Sequence, residues 1–542
     1  MESVDLLQLD LPLLSPIQVP FLSPIDISSA TQWDPENVAQ PTDILSARRK
    51  QVGGAGYTRA PQDLPILSAP DILADDPRES SSTDALSCEF FEDVTQYMSR
   101  KGALEFVPKI QDSRQVAHIR WGFFTTYRRL FSLVFIGNVV ALIIVLSSHR
   151  TLPAVANATA ANLAVTGLIR VPYVVNLFYM AICSIPRTAP LRIRHAAAEM
   201  PHFGGVHSGC GVAALFWYIA LCGITTRDYA LSSPPALHHD KGLMALMYLI
   251  LCLILFIVIA AYPVLRFKFH DSFELTHRFS SWLLIPLFWA FLIVFANKQA
   301  QGRNISLLQE LVSFPAYWFA IILTIAFLTP WMSLRKVRVE SEYLSSHAVR
   351  LHFDFATSGF AQGVSVSRNP LRDWHSFAGI PNIDGTPGFS LIISKAGDWT
   401  GAVIKEQPQV LWTRGIPTSG FGRNCLLFKR ILLVTTGSGM GPCLSLLSAA
   451  NRPPIRILWQ TRSPLKTYGE GVLSMIAMVD KNAVVIDSDK HGRQDMFPIA
   501  WDMFKDFNAE AVFVISRPNI VQKLVFEFEA RGIPAFGPVF DS

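Results

Sequence analysis

Residues 436–443 read Thr-Gly-Ser-Gly-Met-Gly-Pro-Cys and follow the apolar run Ile431-Leu432-Leu433-Val434. A buried strand entering a glycine-dense turn is the local shape of a phosphate cradle. Gly437 permits a tight turn, Ser438 lies inside it, and Gly439 lets backbone approach a pyrophosphate. Gly441-Pro442 then opens a helix whose free N–H groups favour anionic oxygens. A tight strand-to-helix connection with no ligand leaves the same trace, so the surrounding chain has to decide. Arg462 follows the next apolar strand, where a guanidinium can pair a 2′-phosphate and favour NADPH over NADH; a solvated surface arginine is the plainer alternative.

Composition says what must hold these residues in place. The chain has 542 residues, 50% hydrophobic and 16% charged, with a mean hydropathy of +0.31. A soluble protein of this length seldom averages so apolar, and the length suggests several domains. The formal charge of +5 comes without a dense Lys/Arg tract, which gives nucleic-acid binding no support. Seven cysteines without a Cys-x-x-Cys pair argue against a zinc ribbon or a disulfide scaffold. The acidic start Met-Glu-Ser-Val-Asp lacks the basic lead of a signal peptide.

Residues 1–120 are Pro-, Ser- and Asp-rich at first, with no sustained apolar face, and read as a disordered cytosolic tail. Six apolar stretches of spanning length follow, over approximately 130–148, 155–184, 203–226, 242–264, 276–297 and 311–332. Arg170 interrupts the second. One set of loops is richer in basic residues, including Arg128, Arg129, Arg187, Arg192 and Arg194, which places that side and both termini in the cytosol. The plasma membrane is the expected location. Asn304-Ile-Ser is a glycosylation sequon on the outer side; Asn157-Ala-Thr lies too close to the bilayer. Beyond residue 333 the pattern alternates as antiparallel strands do, over 334–427, and from 428 it becomes buried strands separated by helical stretches. The expected fold is a six-helix transmembrane bundle (121–333), then an antiparallel β-barrel, then a parallel α/β domain (428–542).

Further motifs stand in the barrel region: Asp373-Trp374-His375-Ser376-Phe377-Ala378 and Gly397-Asp398-Trp399-Thr400. With the glycine turn, their order resembles the ferric reductase and NADPH oxidase family of transmembrane flavocytochromes. The strings HFGGVHSGCG, LWTRGIPTSG and RGIPAFGPVFDS make it similar above all to the fungal TmpA-type integral membrane proteins. The resemblance implies a ferredoxin-reductase-like module with FAD near Trp374, His375, Ser376, Phe377 and Thr400. It implies NADPH at the glycine turn and a closing aromatic, Phe540, turned toward the flavin. Ser376 stands where that family has proline, and Ala378 where it has a hydroxyl residue.

That family holds two haems with paired histidines on its third and fifth spans. Here only His207 and His277 survive. Ala220, Leu221, Ala290 and Phe291 occupy the distal positions. Both histidines lie near the starts of spans that run the same way, hence at similar depth, where two imidazoles could grip one haem iron. Interfacial histidines bonded to headgroups or backbone are the alternative, with His202 and His270 as a reserve pair.

Two functional readings follow. In the first, an enzyme passes electrons from NADPH through FAD to one inner haem or a cytosol-facing acceptor, without side-chain acid–base catalysis. In the second, a non-catalytic membrane signalling or scaffold protein retains the fold. The expected partners are NADPH, membrane lipid and an electron acceptor that the sequence does not name.

Overall fold

The computed structural model describes residues 91–110, 114–148, 152–231, 241–356, 358–382, 385–448 and 451–538. All of them belong to one compact unit, Glu79–Ser542. The tail reading is corrected at its end. A short strand β1 (Glu92–Asp93) pairs in parallel with Val484-Val485, and helix α1 (Val94–Lys101) follows from it. Asp93 caps that helix, its side chain accepting from the Thr95 N–H at 2.8 Å. Val94 and Tyr97 are buried, and the Tyr97 hydroxyl donates to the buried Asp502 carboxylate, which also accepts from the Glu105 N–H at 2.9 Å. Two buried side chains are too few to register as a periodic face, which is why the segment read as tail. Residues 1–90 lie outside the described residues.

The helical part comprises α2 (Thr126–Ser147), α3 (Leu152–Leu168), α4 (Pro172–Cys183), α5 (Leu191–Ala198), α6 (Gly204–Leu231), α7 (Lys241–Ala260), α8 (His270–Arg303) and α9 (Pro315–Leu328). Among the described residues five helical stretches are long and apolar enough to cross a membrane, or six if the bent α3–α4 pair counts as one span. The expected single helix over 155–184 instead breaks by 74°. The cause is Pro172, which has no N–H and pushes Val171 to extended backbone (φ −68°, ψ 127°), with Arg170 at the break. The bundle's core gathers Leu215, Trp217, Tyr218, Ile250, Phe288 and Leu292. The half-buried Asn138 is satisfied: its side-chain oxygen accepts from the buried Asn162 at 2.8 Å and from the Trp217 indole at 2.9 Å.

The barrel strands are β2 (Arg335–Arg338), β3 (Glu340–Ser345), β4 (Ala348–Phe353), β5 (Gln362–Ser367), β6 (His375–Ala378), β7 (Ile380–Pro381), β8 (Phe389–Ser394), β9 (Val410–Thr413) and β10 (Thr418–Ser419). They form two antiparallel sheets, β10-β5-β9-β2 with β6 alongside β5, and β3-β4-β8-β7. Helix α10 (Asp398–Glu406) buries Val403 and Ile404 in the core between them, with Val349, Leu351, Val366 and Leu391.

The remaining strands are β11 (Ile431–Thr436), β12 (Ile455–Thr461), β13 (Val484–Asp487), β14 (Ala511–Ile515) and β15 (Ala535–Phe536). With β1 they make one parallel sheet in the order β1-β13-β12-β11-β14-β15. Helices α11 (Met440–Leu444), α12 (Pro464–Val479), α13 (Met496–Asp506) and α14 (Pro518–Glu529) connect them. Two core clusters, one on each face, explain why these strands read as unbroken apolar runs. The chain leaves β11 for β12 on one side and returns to β14 on the other. The crevice at the carboxyl ends of β11 and β14 is therefore a topological switch point, where such sheets bind ligands.

Polar contacts join the three parts. Asn176 of α4 accepts from the Ser419 N–H at 2.7 Å and donates to the Pro417 carbonyl at 3.0 Å. Arg187 donates to the Leu426 carbonyl at 3.0 Å, and Arg194 pairs with Glu510 at 2.6 Å. Two of the basic loop residues thus serve docking between parts of the protein.

Candidate functional site

A cavity of about 1430 Å³ opens where bundle, barrel and parallel sheet meet. Its bundle wall includes Tyr127, Arg170, His207, Arg266, Glu274 and His277; its barrel wall includes Gln362, Ser365, Ser376, Phe377, Ala378 and Arg414. The floor, at the switch point, includes Leu433, Pro442, Phe513, Ile515 and Pro538. Pockets for drug-sized ligands usually run to about 300–1,000 Å³, so this space suits a large or composite ligand.

Strand alternation divides the barrel motif between two faces. Ser376 is exposed to the cavity and its hydroxyl pairs with Ser365 across the strands at 2.8 Å. Phe377 also reaches the wall while stacking on Trp399 at 5.9 Å between ring centroids. His375, placed at the cofactor by resemblance, lies under Trp399 at 4.2 Å, its Nε2 buried without a hydrogen-bond partner. It is not among the cavity's lining residues, nor is Trp374, whose ring instead carries the Arg414 guanidinium at 4.3 Å. Thr400 is committed elsewhere: its hydroxyl accepts from the Ala396 and Gly397 N–H groups at 2.8 and 2.9 Å, closing the start of α10. That local bonding explains the Gly-Asp-Trp-Thr string without a cofactor.

The glycine turn lies at the carboxyl end of β11. Gly437 has φ +49°, a conformation that favours glycine, with open space where a Cβ would stand. Gly439 is different. A Cβ there would meet the Ile515 carbonyl at 2.4 Å and the Thr435 hydroxyl at 2.5 Å, so close contact between β11 and β14 already requires this glycine. Ser438 is exposed, Gly441 lies beside Ile392, and Pro442 reaches the cavity. Helix α11 is only five residues long, which weakens the dipole expected behind the turn. Arg462 is 73% exposed at the end of β12, its nearest carboxylate Asp489 at 4.0 Å. Phe540 lies outside the described residues.

The bundle brings His207 and His277 together, with ring centroids 6.2 Å apart and planes at 57°. His207 holds the Thr166 carbonyl through Nδ1 at 2.9 Å, whereas His277 Nδ1 is buried without a partner. Two imidazoles sharing one iron at roughly 2 Å each would need their centroids about 6 Å apart, and the pair has that spacing. The reserve histidines stand apart from this pair: His202 bonds Glu199 at 3.1 Å, and His270 is 72% exposed.

Sequence reasoning missed the cations around the cavity. Arg414 lies between the Trp331 and Trp374 rings at 5.1 and 4.3 Å. Burial, with the Arg278 cation nearby, pulls its guanidinium down to about 10, so it stays charged at neutral pH. Arg170 faces the cavity and lies over the Phe203 ring at 5.8 Å. An arginine inside an apolar span was itself the available signal; Arg414 had none, because its partners are brought by the fold.

Residues 421–542 match the family profile described as Adenylate-forming reductase 03009, C-terminal domain. The chain is 40% identical over 437 residues to Adenylate-forming reductase 03009 of Coprinopsis cinerea, covering 80% of this chain and 42% of that protein. It is 36% identical over 471 residues to Adenylate-forming reductase 06235 of the same fungus, covering 86% of this chain and 44% of that one. The chain thus spans less than half the length of these curated relatives. Among solved structures, a flavohemoglobin from Malassezia yamatoensis is similar at TM-score 0.34 and 15% identity, covering 72% of this chain and 98% of its own. A phthalate dioxygenase reductase is similar at 0.29 and 13%, covering 37% and 65%.

These matches correct the resemblance to ferric reductases, NADPH oxidases and TmpA-type proteins. Alignments over more than 400 residues fall on fungal adenylate-forming reductases, against a handful of short strings for the earlier reading. Part of that string set, such as Gly-Asp-Trp-Thr, has the local structural cause given above.

Proposed function

We propose that this chain is a membrane-embedded electron-transfer module of an oxidoreductase that uses NADPH and FAD. The observation that carries the reading is the shared cavity: a barrel wall, the switch point of a parallel sheet and a histidine pair all face one space. The flavin would lie against Ser365, Ser376 and Phe377, with Arg414 as the cation for its phosphates. The nicotinamide nucleotide would lie at the turn from Gly437 to Pro442, with Arg462 at the 2′-phosphate. Bound flavin supplies the exchange between a two-electron hydride and single electrons. The protein's residues bind, orient and exclude water, and His207 with His277 would hold one haem iron. The relatives' name joins adenylate formation to reduction, and we assign this chain to the reducing half.

Membrane embedding is supported by α2, which has no buried residue and exposes Leu133, Ile136, Val140, Ile143 and Ile144 as one apolar stripe. In water such exposure would forgo about 25 cal/mol per Å² of apolar surface. The basic loop side and both termini are read as cytosolic.

A second reading, a non-catalytic membrane scaffold, draws on the occupied space at Gly439 and the local bonding of Thr400. Purified protein separates the two. The redox reading expects yellow protein whose flavin absorbance bleaches anaerobically with NADPH, and loss of that flavin in Ser376→Trp, which fills the cavity without entering a core. Colourless wild type, or full flavin retention in the variant, would sink the assignment. A haem, if held, adds a Soret band that His207→Ala and His277→Ala each remove.

A further inference from the structure

We propose that His195, Glu199 and Glu529 form a divalent transition-metal site that fastens the helical part of the protein to the nucleotide-type sheet. His195 lies on α5, Glu199 one turn on at its end, and Glu529 is the last residue of α14. The His195 Nε2 is 3.0 Å from Glu529 Oε1 and 3.9 Å from Glu199 Oε1, and the three ligand atoms lie within 4.8 Å of one another. Ligands at about 2.0–2.1 Å from a tetrahedral ion stand roughly 3.3 Å apart, a spacing that these distances bracket. One imidazole with two carboxylates suits Zn²⁺ or Mn²⁺.

Charge balance is the independent argument. Glu529 is 5% exposed, and the charged groups acting on it are His195 and Glu199, without a lysine or arginine. Glu529 is the buried member of the trio, and a divalent ion would set positive charge directly beside its carboxylate. His202 Nδ1 bonds the Glu199 backbone carbonyl at 2.9 Å and lies 3.1 Å from its Oε2, which holds the end of α5 beside the trio.

The site also reaches the cavity. Glu529 accepts from the Ala535 N–H at 2.8 Å, the Phe536 ring meets His195 at 5.5 Å, and Pro538 two residues on lines the cavity. An ion here would fix the segment that closes the cavity floor.

The test uses the full chain in detergent, stripped with chelator and then dialysed against Zn²⁺ or Mn²⁺. Mass spectrometry should find about one ion of one of these metals per chain, and the thermal midpoint should rise with it. Glu199→Gln and Glu529→Gln should each weaken binding about tenfold or more and abolish that rise, while His207→Ala should leave the ion in place. Wild type without a stoichiometric ion, or glutamine variants that keep it, would overturn the site. Midpoints lowered equally with and without metal would reduce the trio to an ion-pair clamp and overturn it too.

Discussion

Helices α6 and α8 are built differently at their two ends. At one end His207 and His277 face a cavity of about 1430 Å³ whose walls also carry Arg170, Arg266 and Glu274. At the other, Leu221, Phe288, Phe291, Leu292 and Phe295 leave a void of about 20 Å³. The same two helices therefore offer ionisable groups and space together at one end, and a nearly filled, mainly apolar packing at the other. Polar side chains inside an apolar bundle are costly unless they serve a ligand or a partner. The imidazoles and guanidinium groups that line the open end stand beside the barrel and the sheet.

Phe291→Ala breaks the closed end and carries the largest expected effect. It should cost about 3–5 kcal/mol of stability as a buried aromatic is lost, whereas His277→Ala, beside existing space, should cost far less. Thermal unfolding of the two purified variants checks this, and equal losses would erase the distinction between the ends. Behind the cavity floor, Gly439→Ala forces a Cβ against the Ile515 carbonyl and should cost about 1–3 kcal/mol. A variant as stable as wild type but unable to use NADPH would instead restore Gly439 to a pyrophosphate contact.

Arg462→Ala sharpens the nucleotide side. A charge-assisted bond contributes about 1.5–3 kcal/mol, so KM for NADPH should rise roughly tenfold or more while KM for NADH stays nearly constant. Parallel changes would show that Arg462 does not read the phosphate.

The smallest effect is the pH dependence of docking. Burial pushes the Glu510 carboxyl up, but bonds from Arg194 and the Lys429 N–H, with both cations nearby, hold it below the ordinary value. Its contribution is therefore complete above the unfolded glutamate pKa and is lost as pH falls through the lowered folded one. Acidification should loosen the α5–sheet contact in wild type, read as protease cleavage between α4 and α6, and Glu510→Gln should flatten that dependence.

Much of the architecture was legible in residue order. Apolar stretches long enough to span, alternation in the barrel and unbroken apolar runs in the parallel sheet each follow from which faces are covered, and periodicity records that. The strand Ile431–Thr436 stands on the apolar run before the glycine turn, and the region from 428 holds the buried strands expected of it. The glycine turn was visible as well, though not the division of labour inside it: Gly437 answers to its own φ, while Gly439 answers to Ile515, 76 residues away. The bend at Pro172 could have been read from the proline and was not.

The candidate site was less legible, because its members are neighbours only through folding. The sequence alone determined the apolar helices, the strand types and two histidines at like depth, since each depends on local pattern. Only the tertiary structure decided that those histidines meet at 6.2 Å, that Arg414 lies between two tryptophans, and that His375 turns away from the cavity while Ser376 faces it. The physical reason is range: periodicity reports the environment averaged along one element, whereas a site is set by side chains that separate elements bring together.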